Sequence, residues 1–425
     1  MLIGFQVENF KSFKDRQVFS MAAGQFPEHQ DSNTIDAGLR GVGRLLRTAV
    51  VYGPNAAGKT NLLRAIEFMK VFVIRSAAAA GAASPYNPFK LSRANSEKPS
   101  EFAVSFIQNG IRYEYAFALG PTKIESERLV EYTHAGAKTR GRTLFDRRWN
   151  NAASRYVWKF SSFLKGQRAV WSESTRPDAL FLSTAIQLNS TQLRPVYEWF
   201  QRRLIVIVGE TELNQSLTFQ MLASPEGKQL VLPFLKQADL GIADLEVKKE
   251  LLPPGGSVVM GANALIQPDL SGGPGSLITV RLSHESEDPE APVSFPIEEE
   301  SSGTIILFKM AGAWLNVIKN GEVLLVDEID RNMHPSLLRF LISMFHSTKV
   351  NAKDAQLVCS THNTTLLDQR IFRRDQVWFV DKEQGGASKL YPLTDFRPRN
   401  DEVLETWYMR GRYGAQPLLP GLETE

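Results

Sequence analysis

Apolar residues along this 425-residue chain fall into runs of two kinds. Residues 2–7 and Thr48–Tyr52 have strand character and are separated by a polar segment rich in Gly and Asp, the spacing of a sheet edge feeding a central strand. After Tyr52 comes a glycine-bearing loop, and then residues 61–69, whose apolar positions recur at helical spacing. Alternating runs at 102–106 and 113–117 flank Gln108-Asn109-Gly110, a hairpin signal, so an antiparallel β subdomain is expected over 101–132. From 188 to 239 the pattern turns helical, with Trp199, Phe200, Phe219, Leu222, Leu230 and Phe234 as core candidates. Gly- and Pro-rich turns then punctuate short strands such as 277–282, and a helix–strand–helix block covers 301–368. The expectation is a discontinuous α/β fold. One half-domain spans 1–187, an inserted helical lobe 188–240, and the second half 241–425. No repeat of 20–50 residues and no sustained heptad marks a solenoid or a long coiled coil.

Composition narrows this little. Hydrophobic residues are 43% and charged residues 22%, an ordinary globular balance, and the net charge of +3 leaves any nucleic-acid site to a local patch. Cys359 is the only cysteine, which excludes an intrachain disulfide and a cysteine-based zinc site and fits a reducing compartment. Glu8 and Lys11 come too early for a secretory h-region, and no apolar stretch approaches the roughly 20 residues of a spanning helix. A cytoplasmic protein without membrane association is expected.

Chemistry enters at Gly53-Pro54-Asn55-Ala56-Ala57-Gly58-Lys59-Thr60, which matches G-x-x-x-x-G-K-[ST] and lies between a strand and a helix. Its glycines let backbone N–H groups converge on phosphate, the helix N-terminus adds its positive dipole end, and Lys59 reaches the β- and γ-phosphates. Gly53, Asn55, Ala57, Gly58, Lys59, Thr60 and Asn61 are therefore expected to line ATP, with Thr60 also on Mg²⁺. The plain alternative is a glycine loop without ligand. Further on, Glu322-Val323-Leu324-Leu325-Val326-Asp327-Glu328 is an apolar strand ending in two acids. Asp327 is placed to hold Mg²⁺ through water and Glu328 to orient or deprotonate an attacking water. Alternatively, both merely cap the next helix.

Several P-loop families share these parts. Glu298-Glu299-Glu300-Ser301-Ser302-Gly303-Thr304 precedes an apolar helix, and Ser302 stands 25 residues before Asp327. This resembles the ABC signature, in which a Ser-Gly pair opening a helix binds the γ-phosphate held by the other subunit. An ordinary N-cap is the competing reading of these serines. Leu270-Ser271-Gly272-Gly273-Pro274 is closer to the signature as text, but a proline and a strand follow it, so it reads as a turn. His362, at the end of strand-like Leu357-Val358-Cys359-Ser360-Thr361, resembles the γ-phosphate-sensing switch histidine of ABC ATPases. Gln187 is a candidate Q-loop ligand of metal and water, or simply the polar end of an element.

Val7-Glu8-Asn9-Phe10-Lys11-Ser12-Phe13, the phosphate loop, Ser302-Gly303, Asp327-Glu328-Ile329-Asp330 with His334-Pro335, and Thr361-His362-Asn363 together resemble the RecF/SMC/OLD branch of ABC ATPases. Within it, residues 375–380 and 411–415 are similar to bacterial abortive-infection (RloA-like) ATPases. The resemblance implies an ABC-type P-loop head with a mixed sheet, an antiparallel β subdomain and an inserted helical lobe. Lys59, Glu328 and His362 would act in catalysis, and Ser302 and Gly303 would complete the site in trans within a homodimer or higher homo-oligomer. It also implies anti-phage defence, with a separately encoded effector, a nuclease, and a phage-derived trigger. Only 63 residues follow His362, too few for the Toprim nuclease of OLD proteins. The rival reading is a RecF-like DNA-repair ATPase using Arg194, Arg202 and Arg203, or Arg370, Arg373 and Arg374. A transporter motor is a weaker third, since such heads usually lack the β insert.

Overall fold

The computed structural model describes residues 1–78, 85–135, 138–209, 215–237, 241–251, 264–267, 276–286, 293–399 and 402–416. Contacts divide the chain into two units. One comprises Met1–Val208, Gly321–Ile329 and Ile342–Glu425, and the other Gly209–Asn320 and Asp330–Leu341.

The first unit holds two sheets. Seven antiparallel strands run in the order Arg155–Phe160, Lys138–Asn150, Ile124–Ala135, Ile111–Leu119, Ser100–Gln108, Leu2–Glu8, Gln17–Ser20. Asn109 and Gly110 both adopt positive φ (52° and 72°), which makes the two-residue turn of the predicted hairpin. The second sheet has the order Leu204–Ile207, Val323–Val326, Gln356–Ser360, Thr48–Tyr52, Val377–Lys382, Ser388–Pro392. All its pairings are parallel except the last. Three of these strands, Thr48–Tyr52, Val323–Val326 and Gln356–Ser360, are buried at every position, as apolar runs in a sheet covered on both faces should be.

Helix Lys59–Arg75 joins the sheets through one core. Leu62, Leu63, Ile66 and Met69 pack with Phe5, Val7, Phe102 and Phe117 of the antiparallel sheet and with Val51 and Val358 of the parallel one. Each such side chain contributes on the order of 1.5–3 kcal/mol by leaving water. Ring pairs extend the contact, Phe68 on Phe102 at 5.0 Å and Phe72 on Phe117 at 5.5 Å.

The contact division draws other limits than those expected of the helical lobe. Residues 188–208 belong to the first unit: Trp199 and Phe200 lie in its core, Trp199 stacking on Phe106 at 4.1 Å, and Leu204–Ile207 is a strand of the parallel sheet. A five-residue π-helix, Trp199–Arg203, leads into that strand. At the other end, residues 241–320 belong to the second unit instead of a C-terminal half-domain. That unit contains helices Ser216–Leu222 and Pro225–Gln237, antiparallel strands Ile242–Leu251, Ala264–Gln267, Ser276–His284 and Val293–Pro296, and helix Ser302–Asn320. Gly312 permits a close approach there. A Cβ on it would lie 2.2 Å from the Thr218 nitrogen, and its own N–H donates to Thr218 Oγ1 at 2.8 Å.

Candidate nucleotide site

The phosphate loop leaves the sheet where Thr48–Tyr52 ends and enters helix Lys59–Arg75. Both glycines answer to close contacts. A Cβ at Gly53 would stand 2.2 Å from the Val380 carbonyl oxygen, and one at Gly58, where φ is +120°, would stand 2.3 Å from Ser388 Oγ and 2.9 Å from Ser12 Oγ. Two serines brace the loop. Ser388 Oγ donates to the Ala57 carbonyl, its backbone N–H donates to Ser12 O at 2.7 Å, and Asn61 Nδ2 donates to Ser12 Oγ at 2.8 Å. Ser12 falls within the quoted Val7–Phe13 motif, whereas no local sequence signal marks Ser388, which strand pairing brings to the loop.

This loop fits a polyphosphate. The helix has no side-chain N-cap and no acidic residue in its first turn, so its leading N–H groups and dipole face an anion site. Lys59 is buried, its Nζ donating to Gly53 O at 2.7 Å and Pro54 O at 3.1 Å, an ammonium folded over the place a phosphate would take. Asn55 is exposed, Ala57 buried, and Thr60 half-buried with its hydroxyl unbonded among the described residues.

The acids do not neighbour the loop directly. Strand Gln356–Ser360 lies between the phosphate-loop strand and the acidic strand. Ser360, fully buried at its end, spans the gap. Its Oγ donates to Asp327 Oδ1 at 2.5 Å and accepts from the Glu328 N–H at 2.8 Å, and its carbonyl accepts from Ile329 N at 3.0 Å. Asp327 N also donates to Ile207 O at 3.0 Å. Glu328 is thereby held at φ +49°, a left-handed conformation unusual for a glutamate, with its carboxylate half exposed. His362 meets it, Nε2 lying 4.0 Å from Glu328 Oε1. The peptide before His362 is latched to the phosphate-loop strand by Thr361 N donating to Val51 O at 3.1 Å.

Gln187 is the exposed last residue of helix Phe181–Gln187, and no contact among the described residues joins it to the loop or the acids. Buried Glu127 caps the start of that helix, accepting from Phe181 N at 2.6 Å and Leu182 N at 3.0 Å. Burial raises the Glu127 carboxyl above its ordinary range, opposed by Arg147 and these N–H groups.

In the second unit, Ser301 rather than Ser302 is the N-cap. Its Oγ accepts from Thr304 N at 3.2 Å, while Ser302 is exposed with its hydroxyl unbonded among the described residues, and Gly303 follows in the first turn. The Ser271–Gly273 text match lies outside the described residues. Two arginines named for the rival DNA reading are structural. Arg373 is 1% exposed, bonded to Asp375 and the carbonyls of Gly24, Phe26 and Glu28, and Arg374 pairs with Glu28. Arg370 is exposed but paired with Asp368 at 2.7 Å. Among the described residues no helix is long and apolar enough to cross a membrane.

No curated protein matches the chain significantly in sequence. Among solved structures it is similar to "Crystal structure of the SmcHead bound to the C-winged helix domain of ScpA", with 13% identity, a TM-score of 0.44, and coverage of 92% of this chain and 96% of that one. Residues 49–368, most of the chain, match the family described as "AAA domain, putative AbiEii toxin, Type IV TA system", and this stretch contains the phosphate loop, the acidic strand and strand Gln356–Ser360. The chain thus belongs to that AAA-domain family.

Proposed function

We propose that this protein hydrolyses ATP with Mg²⁺ in sites completed by a second copy, and that it is the sensor or regulator subunit of an abortive-infection defence system with a separately encoded effector, a nuclease. The observation that carries the hydrolytic reading is the Ser360 hydroxyl, which fixes Asp327 and Glu328 together while His362 approaches Glu328. Magnesium, when bound with ATP, neutralises charge on the transferring phosphoryl group. In cis, Gly53, Asn55, Ala57, Gly58 and Asn61 line the nucleotide, Lys59 exchanges two loop carbonyls for phosphate oxygens, and Thr60 and Asp327 take the cation. Gln187 is a further candidate ligand that would require its helix end to approach. Glu328 accepts the proton of water, and His362 reads the γ-phosphate.

In trans, Ser302 and Gly303 are suited to a partner's γ-phosphate because Ser301 performs the capping, leaving the Ser302 hydroxyl and the helix dipole free. The family description, which names an AbiEii toxin and a Type IV TA system, supports the defence role. A phage-derived trigger would act by shifting the ATP-closed population. The test is sedimentation of the Glu328→Gln protein with ATP. It should dimerise, and adding Ser302→Ala should abolish the dimer while ATP binding persists. A Ser302→Ala protein that still dimerises defeats the trans site. Unchanged phage protection by a Lys59→Ala strain carrying the neighbouring gene defeats the defence role. Salt-sensitive, ATP-dependent DNA binding without a partner would favour the RecF-like alternative, through Arg194 and Arg202, which remain exposed.

A further inference from the structure

Beside helix Leu404–Met409, in the first unit, opens a cavity of about 510 Å³ whose walls include Arg399, Glu402, Val403, Trp407, Arg410 and Arg412. The mechanism above uses none of them. Two guanidinium groups lie over one indole, Arg412 at 5.0 Å and Arg410 at 5.6 Å from the Trp407 ring centre. Glu402 pairs with Arg412 at 3.1 Å and accepts from Tyr413 OH at 3.1 Å. Arg399 and Arg410 are exposed and have no carboxylate partner among the described residues.

Charge and shape narrow the ligand. Three guanidiniums against one carboxylate leave two positive charges on the wall, the complement of a phosphate monoester, which carries about −1.5 to −2 at neutral pH. Guanidinium forks also match phosphate oxygens two at a time. The cavity is larger than phosphate needs and falls in the range of small-ligand sites, with the Trp407 ring and the exposed Val403 as its apolar wall. A planar base joined to a phosphate uses both features, whereas an acidic peptide uses only the arginines.

The same helix reaches the nucleotide machinery from its other side. Glu405 Oε1 accepts from Thr364 Oγ1 at 2.7 Å, two residues after His362. The Tyr408 ring lies 6.0 Å from that of Tyr52, the residue before Gly53.

We propose that this cavity binds a nucleotide 5′-phosphate, as a free mononucleotide or as the phosphorylated end of a nucleic-acid strand, and that occupancy is transmitted through Glu405 to the loop after His362. The transmission rests on the switch role proposed for His362, and the binding does not. In the full-length Lys59→Ala protein, which disables the phosphate loop, calorimetry would titrate AMP, single-stranded oligonucleotides with 5′-phosphate or 5′-hydroxyl ends, and an oligoglutamate peptide. AMP or the phosphorylated strand should bind, and whichever binds more tightly identifies the source. R399A/R410A should weaken that binding by roughly tenfold or more. Unaltered thermal unfolding of this variant excludes a folding defect, and R410K, which keeps charge but not the fork, should give an intermediate loss. Absence of binding by both phosphate probes, indifference to R399A/R410A, equal binding of the 5′-hydroxyl strand, or preference for the peptide each overturns the site. In the unsubstituted chain the bound probe should change ATP turnover at least twofold, and Glu405→Gln should erase the change. Binding without any change in turnover overturns the coupling. Absence of ATP turnover altogether defeats the hydrolytic reading and the coupling together, and leaves the binding result standing.

Discussion

Replacing Ser360 by alanine removes one oxygen and two hydrogen bonds, a charge-assisted one to Asp327 and a neutral one from the Glu328 N–H. The site is fully buried, so water cannot substitute and the Glu328 N–H loses its partner. A hydrogen bond to a charged group contributes about 1.5–3 kcal/mol and a neutral one about 1 kcal/mol, which places the loss of stability at roughly 2–4 kcal/mol. The catalytic loss follows from backbone geometry. Left-handed φ costs a non-glycine residue about 1–2 kcal/mol, so Glu328 stays at +49° only while its neighbours hold it. Loss of that hold should lower the population of the productive carboxylate by about tenfold, since 1.4 kcal/mol is a factor of ten. The phosphate loop, braced by Ser12 and Ser388 instead, keeps its form. The assay pairs single-turnover ATP hydrolysis with equilibrium binding of a non-hydrolysable analogue. Turnover should fall roughly tenfold or more while affinity changes by less than about threefold. Turnover within twofold of the unsubstituted protein would refute the assignment of Ser360 as the positioning residue of the acids.

Stability should also depend on pH through His346. Burial first, then the charges of His29 and Arg47, lower its pKa to about 3, and the Thr48 hydroxyl meets its Nε2 at 2.8 Å. A depressed folded-state value means that the contribution is complete above pH 6.5, the unfolded value, and declines as pH falls toward 3. Denaturant unfolding at pH 5 should show about 2 kcal/mol less stability than at pH 7.5 from this group, and His346→Gln should remove that component. Gly58→Ala should abolish ATP binding, because the new methyl would collide with Ser388 at a φ of +120°, and equilibrium binding would show it. Gly312→Ala should destabilise by about 1–3 kcal/mol through overpacking against the Thr218 backbone, read as a lowered Tm with ATP binding retained.

How far sequence reasoning reached depended on whether a feature is local. The phosphate loop, the two buried strand ends bearing Asp327–Glu328 and His362, and the Asn109–Gly110 turn each declare themselves within about ten residues, and all take their expected secondary structure. Ser388 and Ser360 do not, since a serine has a role there only once strand pairing has put Gln356–Ser360 between the other two strands and Ser388–Pro392 at the sheet edge. The difference in lobe boundary has the same origin. Leu204–Ile207 is too short for a periodic signal, and a helical segment containing Trp199 and Phe200 precedes it. Only its register with Val323–Val326 reveals a sheet strand. The sequence singles out Ser302 for the signature by its place beside Gly303, but leaves the N-cap open to either Ser301 or Ser302. Cap geometry separates them, one hydroxyl satisfied within its own helix and the other open.

The chain enters and leaves the second unit twice, so the short segment Gly321–Ile329 with both acids is joined to that unit covalently at each end, while the phosphate loop sits in the uninterrupted Met1–Val208 stretch. At its entry Gly321, at φ +67°, lies so close to the Lys353 carbonyl that a Cβ would approach to 2.2 Å. Of the three stretches that make up the first unit, the one bearing Asp327 and Glu328 is thus the only one that continues covalently into the second unit at both of its ends, whereas the stretch with the phosphate loop does so at one end alone.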